Sequence, residues 1–172
     1  MNRYTLTALT ENTPGVLHRI TAAFTRRNVN IESLTVSETE RSGISRFTVV
    51  FLAEQEQVEN LVKPIRRIVE VISAVAHLDN ELLFKEIAFL RIAVESLPER
   101  EQIEQAAFEQ HAFVVMTDGK SLVLEKTGTE DEIKQFREAL AGFKIMTFIR
   151  SGRIAINRLE GDRAIGRLSG VR

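Results

Sequence analysis

Cysteine and tryptophan are absent from this chain of 172 residues, and histidine occurs only three times. Without cysteine the chain can form no disulfide, no thiolate nucleophile and no cysteine-ligated zinc site. No apolar stretch reaches the roughly 18 residues that a membrane helix needs. Residues 1–5 lead into a polar-apolar alternation instead of a secretory apolar run. These absences predict a soluble, cytoplasmic protein with no membrane contact.

The charges of the chain are balanced. There are 23 lysines and arginines against 24 aspartates and glutamates, which gives a formal net charge of −1. No global field draws such a chain to nucleic acid, so we expect no nucleic-acid partner. With 44% hydrophobic and 27% charged residues, the composition excludes collagen-like and wholly disordered classes. The length allows one ordinary domain or two small ones, and small domains bury less of their surface, so self-association is expected.

The first half of the chain shows the order β-α-β-β-α-β. Strands are indicated by alternation of apolar and polar residues, and helices by apolar residues three and four positions apart. The predicted elements are a strand at 4–9, a helix at 14–27, strands at 31–37 and 46–51, a helix at 54–67 and a strand at 69–78. Thr13 as N-cap and Pro14 at the first helical position predict the start of the first helix. Pro64 predicts that the second helix is kinked or ends early.

The second half repeats this order of elements. The predicted elements are a strand at 86–95, a helix at 98–110, strands at 112–117 and 122–126, a helix after Thr129 and a strand at 145–150. Asp118-Gly119 predicts a hairpin turn, and Thr129 with Glu132 predicts a capping box. We therefore predict an α+β protein of two tandem ferredoxin-like (βαββαβ) domains, residues 1–79 and 80–158. A flexible or partner-bound tail is expected at 159–172.

The sequence carries few signs of chemistry. His18, His77 and His111 lie in different predicted elements without the spacing of a helical metal site. The chain has no G-x-S-x-G, G-x-G-x-x-G or Walker motif. Residues 45–51 lack the Gly-aromatic pattern of an RRM, although the order of elements would fit that fold. We therefore predict no catalytic residue and no metal ligand.

The turn at Glu11–Leu17 leaves a strand and opens a helix. The backbone amides of Gly15, Val16 and Leu17 would then lie at the positive end of a helix dipole, where a carboxylate can bind. Gly15 would allow a small ligand close to the backbone, and the Asn12 side chain offers both a donor and an acceptor. On spacing alone, the turn is better explained as a capped connection that needs Asn and Gly for its own geometry.

Four segments together resemble the small subunit of acetolactate synthase (acetohydroxyacid synthase). They are Glu11–Ile20 (ENTPGVLHRI), Arg27–Val36 (RNVNIESLTV), Lys85–Ile92 (KEIAFLRI) and Arg150–Ala155 (RSGRIA). The first is found in many ACT domains, whereas NIESLTV is the specific part. The resemblance covers residues 2–158. It implies an ACT domain at 1–79 and an ACT-like domain at 80–158.

The resemblance implies a regulatory subunit with no chemistry and no cofactor of its own. Its partner would be the large catalytic subunit, which uses thiamine diphosphate, Mg²⁺ and FAD to condense pyruvate with pyruvate or 2-oxobutyrate. The small subunit of this family raises that activity and confers feedback inhibition by valine or another branched-chain amino acid. The expected pathway is therefore branched-chain amino-acid biosynthesis, including that of valine and isoleucine.

The same resemblance implies a homodimer in which ACT domains pair side by side and hold the effector at their interface. Asn12 and the backbone of Gly15, Val16 and Leu17 would bind the charged groups of valine. Asn30 and Ile31 of the facing protomer would close the site. The chain departs from many relatives at Thr13-Pro14 and His18. No second effector turn is expected in residues 80–158.

Two alternatives lie in other functional classes. The first is a free-standing ACT-domain sensor of amino acids that acts on another enzyme or on a regulator. The second is a purely structural dimerisation module, which would bind no amino acid. Co-purification separates the first alternative from a synthase subunit, and titration with valine separates the second.

Overall fold

The computed structural model describes residues 1–158, and the predicted tail 159–172 lies outside them. The strands are β1 Asn2–Glu11, β2 Ile31–Glu38, β3 Ile44–Ala53, β4 Val71–Leu78, β5 Leu82–Ala93, β6 Phe113–Thr117, β7 Ser121–Gly128, β8 Ile145–Arg150 and β9 Ile154–Asn157. The α-helices are α1 Val16–Thr25, α2 Gln55–Ile65, α3 Leu97–Glu109 and α4 Glu130–Ala139. A short 3-10 helix at Asp79–Glu81 lies between β4 and β5. None of the helices within residues 1–158 is long and apolar enough to cross a membrane.

The described chain forms two compact units. The first contains residues 1–84 and the returning segment from Arg153, and the second contains residues 85–152. Each unit has the order β-α-β-β-α-β, which confirms the predicted pair of ferredoxin-like domains. The sequence-based limits of 79/80 and 158/159 stay a prediction. By contacts, the chain crosses between the units after Phe84 and again after Gly152.

The first unit is a four-stranded sheet in the order β2-β3-β1-β4, with all neighbours antiparallel. Alternation along β1 places Leu6 and Ala8 in one core with residues of α1 and α2. Phe24 of α1 meets Phe51 of β3 edge to face, with ring centroids 5.3 Å apart. The helices therefore cover one face of the sheet. Strand β2 lies at its edge.

The predicted start of α1 is wrong by two residues. The helix begins at Val16, and Gly15 is its N-cap with φ of 87°. A residue in this left-handed conformation cannot belong to the helix, so Thr13 and Pro14 lie in the preceding turn. No side chain caps this end of the helix. At its other end the helix stops at Thr25, two residues before the predicted end, and Asn28 has φ of 52° in the turn that follows.

The prediction for α2 is confirmed. The helix ends at Ile65, one residue after Pro64. Proline has no amide hydrogen to donate, and its ring clashes with the carbonyl four residues earlier, so Pro64 weakens the last turn of the helix. The N-terminus of α2 carries a capping box, in which the Glu54 amide donates to Oε1 of Gln57 at 2.9 Å.

The second unit repeats the topology with the strand order β6-β7-β5-β8. Leu90, Leu122 and Phe136 are fully buried in its core. Two local predictions are confirmed here. Gly119 has φ of 80° in the turn between β6 and β7, and Thr129 and Glu132 form the capping box of α4. Strand β9, which pairs with β5, was not predicted.

Candidate functional site

The turn between β1 and α1 is held by backbone hydrogen bonds on two sides. The Glu11 amide donates to the Glu70 carbonyl at 2.8 Å, and the Asn12 amide donates to the Gly43 carbonyl at 2.7 Å. Gly43 in turn donates its amide to Oε1 of Glu38 at 2.8 Å. The turn is therefore fixed to both the approach to β4 and the β2-β3 hairpin.

Gly15 leaves the N-terminus of α1 open. An added Cβ at Gly15 would meet no atom within 4 Å, and the first helical turn contains no acidic residue. The amides at the start of a helix have no carbonyl partner within the helix. Since no side chain caps this end, the amides of Val16 and Leu17 have no side-chain partner at the positive end of the helix dipole. A small anion can approach them closely.

Some side chains around the N-terminus of α1 are buried in the core and others are exposed to solvent. Val16 is 1% exposed and belongs to the core, whereas Leu17 is 45% exposed. Asn12 is also exposed. An amide side chain both donates and accepts hydrogen bonds. The opening thus combines backbone donors, an amide group and an apolar surface, which together match an amino acid with an apolar side chain.

Asn30 and Ile31 lie at the other end of the same sheet. Ile31 is paired with Phe51, which is paired with Tyr4 near the start of β1. At roughly 3.3 Å per residue, Tyr4 and Asn12 are about 26 Å apart along β1. Asn30 lines a pocket of about 230 Å³ that also contains Leu52 and Gln57. A single chain therefore does not bring the two predicted halves of the effector site together.

The structure adds Glu38 and Gly43 to the surroundings of the site. Residues 38–43 lie between the strands predicted at 31–37 and 46–51, and the sequence assigned them no part in the site. Gly43 has φ of 79°, and its carbonyl accepts the Asn12 amide. The glycine in a polar hairpin was the available signal, but its pairing partner lies about 30 residues away in sequence, so local patterns could not reveal it.

Within residues 1–158, no group of histidine, aspartate and glutamate side chains is arranged to hold a metal ion. Two carboxyl groups have a lowered pKa, and both have a structural cause. The amide of Lys120 and the hydroxyl and amide of Ser121 donate to Asp118, which lowers the pKa of its carboxyl group. The amide and hydroxyl of Thr129 lower the pKa of Glu132. One residue belongs to a hairpin turn and the other to a helix cap.

Comparisons with known proteins place both halves of the chain in one family. The model of the AHAS small subunit-like ACT domain matches residues 6–73, and the model of the small subunit of acetolactate synthase matches residues 85–159. The acetolactate synthase small subunit of Mycobacterium leprae is 35% identical over 163 residues, covering 95% of each chain. The probable acetolactate synthase small subunit of Archaeoglobus fulgidus is 34% identical over 157 residues, covering 91% of this chain and 97% of its own.

A solved structure has the same fold. The acetolactate synthase small subunit from Thermotoga maritima superposes with a TM-score of 0.84 at 23% identity, covering 94% of this chain and all of its own. The two family models and the relatives above 30% identity confirm the family expected from the sequence motifs. The chain belongs to the family of acetolactate synthase small subunits.

Proposed function

We propose that this chain is the regulatory subunit of a cytoplasmic acetolactate synthase and that it mediates feedback inhibition by valine. It activates the large subunit, which carries out the reaction with thiamine diphosphate, Mg²⁺ and FAD. The small subunit itself contributes no catalytic residue. Family membership supports the partnership with a large subunit. The observation that carries the effector role is the open helix N-terminus at Gly15.

The chemistry of this opening suits a zwitterion. The carboxylate of valine accepts hydrogen bonds from the amides of Val16 and Leu17 at the positive end of α1. Its ammonium group donates to the side-chain oxygen of Asn12. The partly exposed Leu17 side chain offers apolar contact to the isopropyl group. A ligand that lacks the ammonium group or the apolar side chain should therefore bind more weakly than valine.

A homodimer through the edge strand β2 completes the site. When two copies of β2 pair antiparallel about a two-fold axis, the Ile31 end of one lies beside the Glu38 end of the other. Glu38 is tied to Gly43, and Gly43 to Asn12. Asn30 and Ile31 of one protomer therefore come close to the turn at Asn12 of its partner. This pairing accounts for the separation of the two groups within one chain.

A site shared by two protomers gives valine a means of regulation. A ligand shifts a conformational equilibrium only by its difference in affinity between the states. Valine contacting both chains favours the arrangement in which the two turns and the two β2 ends are correctly placed. A coupling of about 1 to 3 kcal/mol changes the affinity or population of a linked state from roughly fivefold to more than a hundredfold.

Reconstitution with the large subunit tests the proposal. The pure chain should form no acetolactate from pyruvate. Added to its large subunit, it should raise the rate, and valine should lower that raised rate. Acetolactate formation by the pure chain would contradict the proposed division of labour. Recovery of an unrelated enzyme in place of a thiamine-dependent one, when the tagged chain is purified from its own cells, would favour a free-standing sensor.

A further inference from the structure

The RSGRIA segment at Arg150–Ala155 has no role in the proposed effector site. It spans the point at which the chain returns from residues 85–152 to the first unit. Arg153 is the first residue after this crossing, and only 1% of its side chain is exposed. An arginine is rarely buried unless its charge is paired, so its partners indicate what it holds together.

Arg153 joins three segments of the first unit. Its Nη1 donates to Oγ1 of Thr5 at 2.9 Å and to Oδ1 of Asp79 at 2.6 Å. Its guanidinium carbon lies 3.8 Å from the ring centroid of Phe84. Thr5 belongs to β1, Asp79 to the 3-10 helix after β4, and Phe84 to the start of β5. One side chain therefore fixes the returning chain to all three.

The end of β9 reinforces this attachment. The Arg158 amide donates to the Glu81 carbonyl at 3.0 Å, and its Nε donates to the Leu82 carbonyl at 2.7 Å. The departing segment at 81–84 and the returning segment at 153–158 are thus bound to each other within the first unit. Of the residues in these two segments, Arg153 is the one that also bonds to the first strand of the sheet, through the hydroxyl of Thr5.

A buried arginine is a costly way to achieve stability alone. Removing its charge from water is unfavourable, and an apolar residue of similar size often stabilises as well or better. The guanidinium group differs in its geometry, because its planar donors fix directions that lysine and methionine do not. The contacts of Arg153 therefore suit a role in setting position.

We propose that Arg153 is a positioning residue for the response to valine. Thr5 lies on β1, which is paired with β3 and β4 on its two sides and ends at the effector turn. Through Thr5, Arg153 couples the returning chain to the strand that carries that turn. A shift of the turn on binding valine then reaches Arg153 at the start of the returning chain. This inference rests on the proposed function of the turn.

The test compares binding with inhibition in the full chain. The variants are Arg153→Met, Arg153→Lys and Thr5→Val, with Thr7→Val as the matched control on the same face of β1. Calorimetry measures valine binding to each small subunit, and reconstitution with the large subunit measures activation and valine inhibition. Circular dichroism and thermal unfolding show whether each variant folds.

We expect Arg153→Met and Thr5→Val to bind valine and to activate the large subunit as the wild type does. The valine concentration for half-inhibition should rise by about fivefold or more, the lower end of typical coupling between sites. Arg153→Lys should recover part of the response, and Thr7→Val should equal the wild type. If Arg153→Met fails to fold, Thr5→Val decides the outcome.

Three results would overturn the inference. The first is folded variants with the wild-type response to valine, which would leave Arg153 a structural residue only. The second is an equal loss in Thr5→Val and Thr7→Val, which would show a general effect of β1 substitutions. The third is a loss of valine binding itself in Thr5→Val. If the wild-type chain binds no valine, the proposed function fails first and this inference fails with it.

Discussion

The Asn12 amide donates to the Gly43 carbonyl at 2.7 Å, and this bond joins the proposed effector turn to the β2-β3 hairpin. Strand β2 is the edge of the sheet and the proposed contact between protomers. A change at the turn therefore reaches the hairpin through this backbone hydrogen bond. Gly43 in turn donates its amide to Oε1 of Glu38, which places the turn beside the Glu38 end of β2.

Gly15→Asp should abolish valine inhibition and leave activation of the large subunit intact. A carboxylate at this position occupies the open space beside the amides and repels the carboxylate of valine. The measurement is acetolactate formation by the reconstituted enzyme over a range of valine concentrations.

Gly15→Asn is the matched control for this variant. Asparagine has nearly the same shape as aspartate and tolerates a positive φ better than most residues, so the φ of 87° is compatible with it. Valine inhibition should be weakened in Gly15→Asn but remain measurable. Equal inhibition of Gly15→Asp and the wild type would place the effector elsewhere.

Asn30→Ala should weaken valine inhibition less than Gly15→Asp does. The substitution removes one side-chain hydrogen bond, worth about 0.5 to 1.5 kcal/mol, or roughly a two- to tenfold change in the inhibiting concentration. Asn28→Gly serves as the control, because Asn28 is exposed and lines the same pocket, and glycine accepts its φ of 52°. A larger effect of Asn28→Gly would argue against the assigned pairing.

Ile103→Ala should destabilise the second unit by about 2 to 5 kcal/mol, since it leaves a cavity in a packed core. Ile103 is fully buried in α3. Phe108→Ala in the same helix should change the free energy of unfolding by less than about 0.5 kcal/mol, because that ring is 75% exposed. Urea unfolding of both variants checks the difference. Similar losses would mean that Phe108 is packed in solution.

Glu132→Gln should cost stability at neutral pH and nothing in acid. The amide and hydroxyl of Thr129 lower the pKa of Glu132, so its charged form is favoured in the folded state. Such a contribution is present above the unfolded pKa and is lost as the pH falls through the folded pKa. The difference from the wild type should therefore shrink as the pH falls below the ordinary glutamate pKa of 4.5 and disappear in more acidic solution. A difference independent of pH would contradict this explanation.

Local patterns sufficed for most of the fold. Alternation in β1, the capping box at Thr129 and the early end of α2 at Pro64 follow from residues within a few positions of each other. The start of α1 was misplaced because Thr13-Pro14 has the local signature of a helix start, whereas the positive φ of Gly15 delays the helix. The sequence alone does not show which of the two signals sets the first residue of the helix, because the surrounding structure fixes the φ of Gly15.

Contacts that are distant in sequence were beyond prediction. Arg153 and Thr5 are 148 residues apart, and nothing near either residue indicates the other. The segment at Arg150–Ala155 could be recognised as a family motif, but its buried guanidinium group could not. For the proposed effector site, the sequence suggested both groups of residues, while their separation along the sheet is seen only in the structure.

The central claim is that each valine site takes its turn from one protomer and Asn30 from the other, and mixed dimers test it most directly. Gly15→Asp and Asn30→Ala subunits are unfolded together, refolded and titrated with valine by calorimetry. In a mixed dimer one site carries both substitutions and the other carries neither, so wild-type affinity should reappear at about half of the sites in these dimers. If the mixture binds valine no better than the two separate variants do, the site lies within one chain and the account is wrong.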